Sequence, residues 1–154
     1  MPQLVKGGKH TFGWSVVSEK GDIAIPPDAY AEYGFVEGET ALVMSGSRKS
    51  GGLVLSRLKT FMNSPISGVL SKQGGLTSHQ IPEGETVKIG PRFYCRATIG
   101  HSRFSLPLNT LEKYGIQKGS ALLTVRGSNV GLGFIVKGPI IEEAKRHSEL
   151  KTFF

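Results

Sequence analysis

The chain has 154 residues, 38% hydrophobic and 20% charged, which supports a packed core and excludes general disorder. Its net charge of +7 points towards polyanions, while the lone Cys95 excludes an intrachain disulfide framework and suits a reducing compartment. No apolar run approaches the ~18 residues of a spanning helix and no apolar leader follows Met1, so a cytoplasmic protein with no membrane partner is expected.

Taken in chain order, residues 12–17 read as a strand and Ser18-Glu19-Lys20-Gly21 as a turn. Asp22 to Ile25 alternates polar and apolar, the pattern of a half-buried strand. Pro26-Pro27-Asp28 then stops pairing and suits a helix start, because proline lacks the N–H that a first helical turn leaves unpaired. Ala29 to Tyr33 is predicted helical, closed by Gly34 where a left-handed residue is needed. Thr40–Met44 and Leu53–Leu55 are predicted strands, joined by the glycine-rich stretch 45–52. In the linker 59–92, Leu58 to Met62 reads as a short helix and Thr86–Ile89 as an extra strand; so long a connection is expected to carry elements of its own.

The plan then repeats. Ile25-Pro26 recurs 81 residues on as Leu106-Pro107, Tyr33-Gly34 as Tyr114-Gly115, Gly38 as Gly119, and Leu53-Val54-Leu55 as Phe134-Ile135-Val136. The second copy reads as strands at 94–99, 102–106, 121–125 and 132–136, with a helix at 108–114. Residues 140–150 read as a polar C-terminal helix. A unit of ~45 residues rarely folds alone without a metal or disulfide. The two copies are therefore expected to complete each other as one mainly β body, interleaving hairpins into a pseudo-two-fold barrel capped by short helices. The divisions are an N-terminal repeat (1–58), a linker (59–92), a second repeat (93–139) and a tail (140–154). The predicted core is Trp14, Ile23, Ile25, Leu42, Met44, Val54, Cys95, Phe104, Leu106, Leu123, Val125 and Ile135.

Charge does not follow the duplication. Residues 13–58 hold four basic residues against six acidic ones, whereas 94–139 hold six against one. A concentrated positive field attracts nucleic acid; a solubilising surface charge is the plainer reading. Arg96 and Arg103 fall on adjacent predicted strands with Lys113 at a helix end nearby, and arginine grips phosphate or reads guanine edges. Lys20 in the first turn, and Arg48 and Lys49 in the glycine-rich hairpin loop, join them as candidate contacts. That loop lacks the order of a nucleotide-binding P-loop.

The run Lys20-Gly21-Asp22-Ile23-Ala24-Ile25-Pro26, followed by Gly34 and by Glu37-Gly38, resembles the AbrB/SpoVT/MazE group of swapped-hairpin proteins. Phe104-Ser105-Leu106-Pro107, Tyr114-Gly115-Ile116 and Lys118-Gly119 resemble it more loosely. Two such units in one chain is also the organisation of MraZ proteins. The resemblance implies a swapped-hairpin, double-split β-barrel and binding of double-stranded DNA in transcription regulation. Where many members carry Arg after the turn glycine, the first copy has Asp22 and the second Arg103; on the preceding strand the pair is Ser15 and Arg96. The second copy is therefore expected to make most contacts, against a symmetric palindromic target.

Catalytic readings are weak. His10, His79, His101 and His147 have no ligand spacing, Cys95 stands alone, and the match Ser56-Arg57-Leu58-Lys59 lacks its companion motifs. No enzyme, cofactor or metal is expected. The competing class is a protein-interaction module, antitoxin-like, whose tail carries Phe153 and Phe154 as anchors for a homo-oligomer or another protein. A degenerate regulator binding a small effector is a third reading.

Overall fold

The computed structural model describes residues 10–72, 76, 80–128 and 130–154; His79 and parts of the N-terminal repeat and linker lie outside them. The protein is mainly β. In chain order its elements are β1 (Thr11–Val16), β2 (Asp22–Ala24), α1 (Pro27–Tyr33), β3 (Thr40–Ser45), β4 (Leu53–Arg57) and α2 (Leu58–Met62). A 3-10 helix (Pro65–Lys72), β5 (Val87–Ile89), β6 (Arg92–Thr98), β7 (Arg103–Ser105) and α3 (Leu108–Lys113) follow, then β8 (Ala121–Arg126), β9 (Leu132–Ile135), α4 (Pro139–Ala144) and β10 (Thr152–Phe153). The local signals were well placed: Pro27 opens α1, and Gly34 ends it in the left-handed region with φ 70°.

Eight strands form one mixed sheet in the order β10-β1-β8-β9-β4-β3-β6-β5, and β2 pairs with β7 as a separate ribbon. Each outer strand of one copy pairs with a strand of the other: β1 with β8, and β6 with β3. Two residue pairs 81 apart face one another directly, Ile23 with Phe104 in the ribbon and Leu53 with Phe134 in the sheet. A pseudo-two-fold axis therefore passes through both, and the Phe104 and Phe134 rings meet edge to face at 5.4 Å. The strand order is open, with β10 and β5 at its edges, and no pairing among the described residues closes it into a barrel.

Alternation along the strands divides the apolar residues among three clusters. Ala41 and Val43, with Ile23, Leu53, Phe104 and Phe134, form the central core between sheet, ribbon and the helices α1 and α3. On the outer face, Leu42 and Met44 pack under Phe61 of α2, whereas Leu123 and Val125 pack under Ile141 and Ala144 of α4. The helices that follow β4 and β9 are thus counterparts, and the repeated unit runs further than the strand motifs alone. Ten of the twelve predicted core residues are buried; Trp14 and Val54 are partly buried against the outer clusters.

Three details differ from expectation. The C-terminal helix has six residues rather than eleven, and the chain then returns as β10, parallel to β1. Gly13 admits it, since a Cβ there would stand 2.5 Å from the carbonyl oxygen of Lys151. The offset of 81 also fails in the outer strands. Ala41 faces Ala97 while Leu122 faces Ser15, so Ser15 corresponds to Ala97, and Arg96 corresponds to Trp14. One residue fewer separates β6 from β7 than β1 from β2, and the slip turns alternate side chains to the other face.

Candidate nucleic-acid interface

The six predicted contact residues do not form one face. Arg96 is 7% exposed and donates from Nη2 to the Ile81 carbonyl at 2.5 Å, so the linker covers it. The expected Arg96–Arg103 pair is thereby lost, because the one-residue slip aims Arg96 at the outer cluster. Arg103 is partly buried on the ribbon, facing Ala24, with Asp22 bonded to Ser105 across the same ribbon. Lys20 is exposed in the first turn, beside Glu19 in sequence. The ribbon end therefore carries mixed charge.

The acidic character of the first copy is largely consumed by contacts within the fold. Glu32 accepts Arg126 Nε at 2.7 Å and also its Nη2, and Glu39 accepts Arg57 Nε at 2.9 Å. Glu37 accepts the Tyr30 hydroxyl at 2.6 Å and the backbone N–H groups of His101 and Ser102. Those two residues are, among the described residues, the non-glycine positions with positive φ, 53° and 56°, in the short second turn. The Tyr30 hydroxyl, then the Ser102 amide, holds the Glu37 carboxyl below the usual carboxylate range, while Tyr30 is pushed up to about 12 mainly by the same hydrogen bond.

The free positive charge gathers elsewhere. Arg48 and Lys49 are exposed on the β3–β4 loop, held compact by Gly51 N–H to Ser47 O at 2.8 Å. The Ser50 carbonyl of that loop accepts the amides of Val136 and Lys137, each at 3.0 Å, bringing Lys137 of the second copy alongside. Arg92 lines a cavity of 230 Å³ together with Ser45 and Ser47, so it stands where the loop begins. One residue on, Phe93 donates its amide to Ser45 Oγ at 2.9 Å, and its ring lies 5.9 Å from Lys88 Nζ and 5.8 Å from Lys113 Nζ. Lys113 also donates to Thr86 Oγ1 at 2.9 Å.

Lys137, Lys49, Arg48, Arg92, Lys88 and Lys113 thus run along one end and edge of the sheet. Among the described residues none of the six forms an ion pair; the pairs that exist engage Arg57, Arg126, Lys145, Arg146 and His147. Three of the predicted contacts, Arg48, Lys49 and Lys113, belong to this stripe. Lys88, Arg92 and Lys137 were missed. The Gly90-Pro91 turn between a predicted strand and the next was the available signal, since it sets Lys88 opposite Phe93; nothing local announces Lys137.

Cys95 is buried, and burial pushes its thiol up to about 11, so it is held as a neutral core group. Among the described residues no cluster of His, Cys, Asp or Glu suits a metal, and no helix is long and apolar enough to cross a membrane. Comparison with protein-family models, with curated proteins and with solved structures found no match to this chain.

Proposed function

We propose that the chain is a cytoplasmic, non-catalytic DNA-binding regulator of AbrB/SpoVT/MazE-like type, with two tandem swapped-hairpin units standing in for a dimer. The cross-copy strand pairing and the axis through Ile23/Phe104 and Leu53/Phe134 support the swapped-hairpin reading. The observation that carries DNA binding is the stripe of six cations, drawn from both copies and the linker, that form no ion pair among the described residues. Lysine-rich contacts of this kind grip the phosphate backbone and position the protein; few side chains remain to specify sequence. The duplex is engaged from one edge, without palindromic symmetry.

Fluorescence anisotropy of a labelled duplex at low and moderate salt tests this. Affinity falls steeply with salt, and Arg92→Ala and Lys113→Ala each reduce the log–log slope by about 0.9. No binding at low salt removes the reading. One observation favours an interaction module without strong DNA binding: Arg96 is buried and Arg103 sits on the mixed-charge ribbon. That module predicts salt-insensitive capture of a protein partner and no duplex binding.

A further inference from the structure

Beside the basic stripe, the outer face of the first copy is incompletely covered. Two of the four exposed large apolar side chains among the described residues, Met62 (43%) and Ile66 (56%), lie on the helices that shield it. Between those helices and the sheet runs a groove with two compartments. One, of 400 Å³, is walled chiefly by Phe61, Ile89, Pro91 and Tyr94. The other, of 230 Å³, is the more polar, with Ser45, Ser47 and Ser128 in its wall. Met44, Ile66 and Arg92 line both, so Arg92 belongs to both compartments.

We infer that this groove receives an unpaired nucleotide of a single-stranded nucleic acid, its base in the apolar compartment and its phosphate at Arg92. The inference rests on the nucleic-acid reading above and narrows it. A base inside a duplex offers only its edge to a protein, whereas an unstacked base offers an apolar face that a pocket can enclose. A nucleotide joins that face to a negative charge a short distance away, as the groove joins an apolar wall to a guanidinium and three hydroxyls. An acidic amphipathic peptide meets the apolar compartment equally well. The cations decide between them: Arg92 in the groove wall, with Arg48 and Lys49 on the loop that carries Ser47 of the polar compartment, suit a polymer charged at every unit.

The test compares a labelled oligothymidylate of about 12 nucleotides with the duplex it forms with its complement, by anisotropy at one low salt concentration. The single strand binds about tenfold tighter, an abasic strand of equal length loses that advantage, and I66S weakens the single strand about fivefold while leaving the duplex unchanged. Ile66 is exposed, so I66S spares the core; circular dichroism and thermal unfolding confirm it. Equal or tighter binding of the duplex, or an I66S loss shared equally by strand and duplex, overturns the inference and leaves the DNA reading standing. Failure to bind either nucleic acid overturns both. An acidic amphipathic peptide that displaces the strand, and that itself loses affinity in I66S, puts a protein in the groove and overturns the inference.

Discussion

The hairpins that open the two copies differ by one residue. The first turn, Val17 to Gly21, closes on itself: Ser18 accepts the Lys20 and Asp22 amides through Oγ and the Gly21 amide through its carbonyl. The second, Ile99 to Ser102, is tighter, and His101 and Ser102 both take the left-handed conformation that side chains disfavour by about 1–2 kcal/mol per residue. Its exposed amides are taken by Glu37 from the other copy, whereas Lys118 occupies the position 81 residues on from Glu37. The missing residue also sets Arg96 where the first copy has Trp14. The one-residue difference thus puts Arg96 on the outer face under the linker, whereas the 81-residue offset would set it with Ser15 on the buried inner face.

The largest effect should come from forcing the first turn to resemble the second. Gly21 has φ 88°, and a Cβ there would stand 2.1 Å from the backbone oxygen of Leu106, which a rotamer change cannot relieve. Gly21→Ala is expected to destabilise by roughly 3 kcal/mol, read from urea unfolding. A loss under about 0.5 kcal/mol would mean that the two turns are interchangeable and that length, not conformation, separates them.

Arg96 gives a smaller and sharper contrast. Arg96→Leu removes the donor of a part-buried hydrogen bond to the Ile81 carbonyl, an expected cost of about 1 kcal/mol. It should leave duplex affinity and its salt slope unchanged, in contrast to Arg92→Ala four residues away. A fall in the salt slope with Arg96→Leu would return that guanidinium to the nucleic-acid surface.

Much of this architecture was legible because it is local. Proline and glycine punctuation located α1, the alternation of Asp22 to Ile25 located the ribbon, and repeated Tyr-Gly and Ile-Pro pairs exposed the duplication. The site was legible only in part. Residue identities keep an offset of 81 from the ribbon onward, so they conceal a slip confined to the strand before it. Arg96 reads as a surface cation until Ile81, from the linker, lies over it. The convergence of Lys88 and Lys113 on Phe93 needs a strand pairing and a helix end at once, and Lys137 reaches the stripe only through Ser50. Each is a contact between distant segments.

The smallest effect isolates the clasp that only the second turn has. Glu37 is fully exposed, and its carboxyl is held below the usual range by the Tyr30 hydroxyl and the Ser102 amide, so the clasp favours the ionised form. A carboxylate lowered on folding contributes stability above its unfolded value and loses it as pH falls through the folded one. Exposure keeps that contribution small, so the readout should be local. In a proton NMR titration the amide resonances of His101 and Ser102 should move together, with a midpoint below the ordinary carboxylate value of about 4.3. The Lys20 and Gly21 amides, held by Ser18, should not follow that curve, and Glu37→Gln should abolish it. If all four amides move together, the two turns share one environment and the one-residue difference has no electrostatic consequence. If the movement is confined to His101 and Ser102, Glu37 of the first copy braces the second turn alone, and the one-residue difference has an electrostatic consequence.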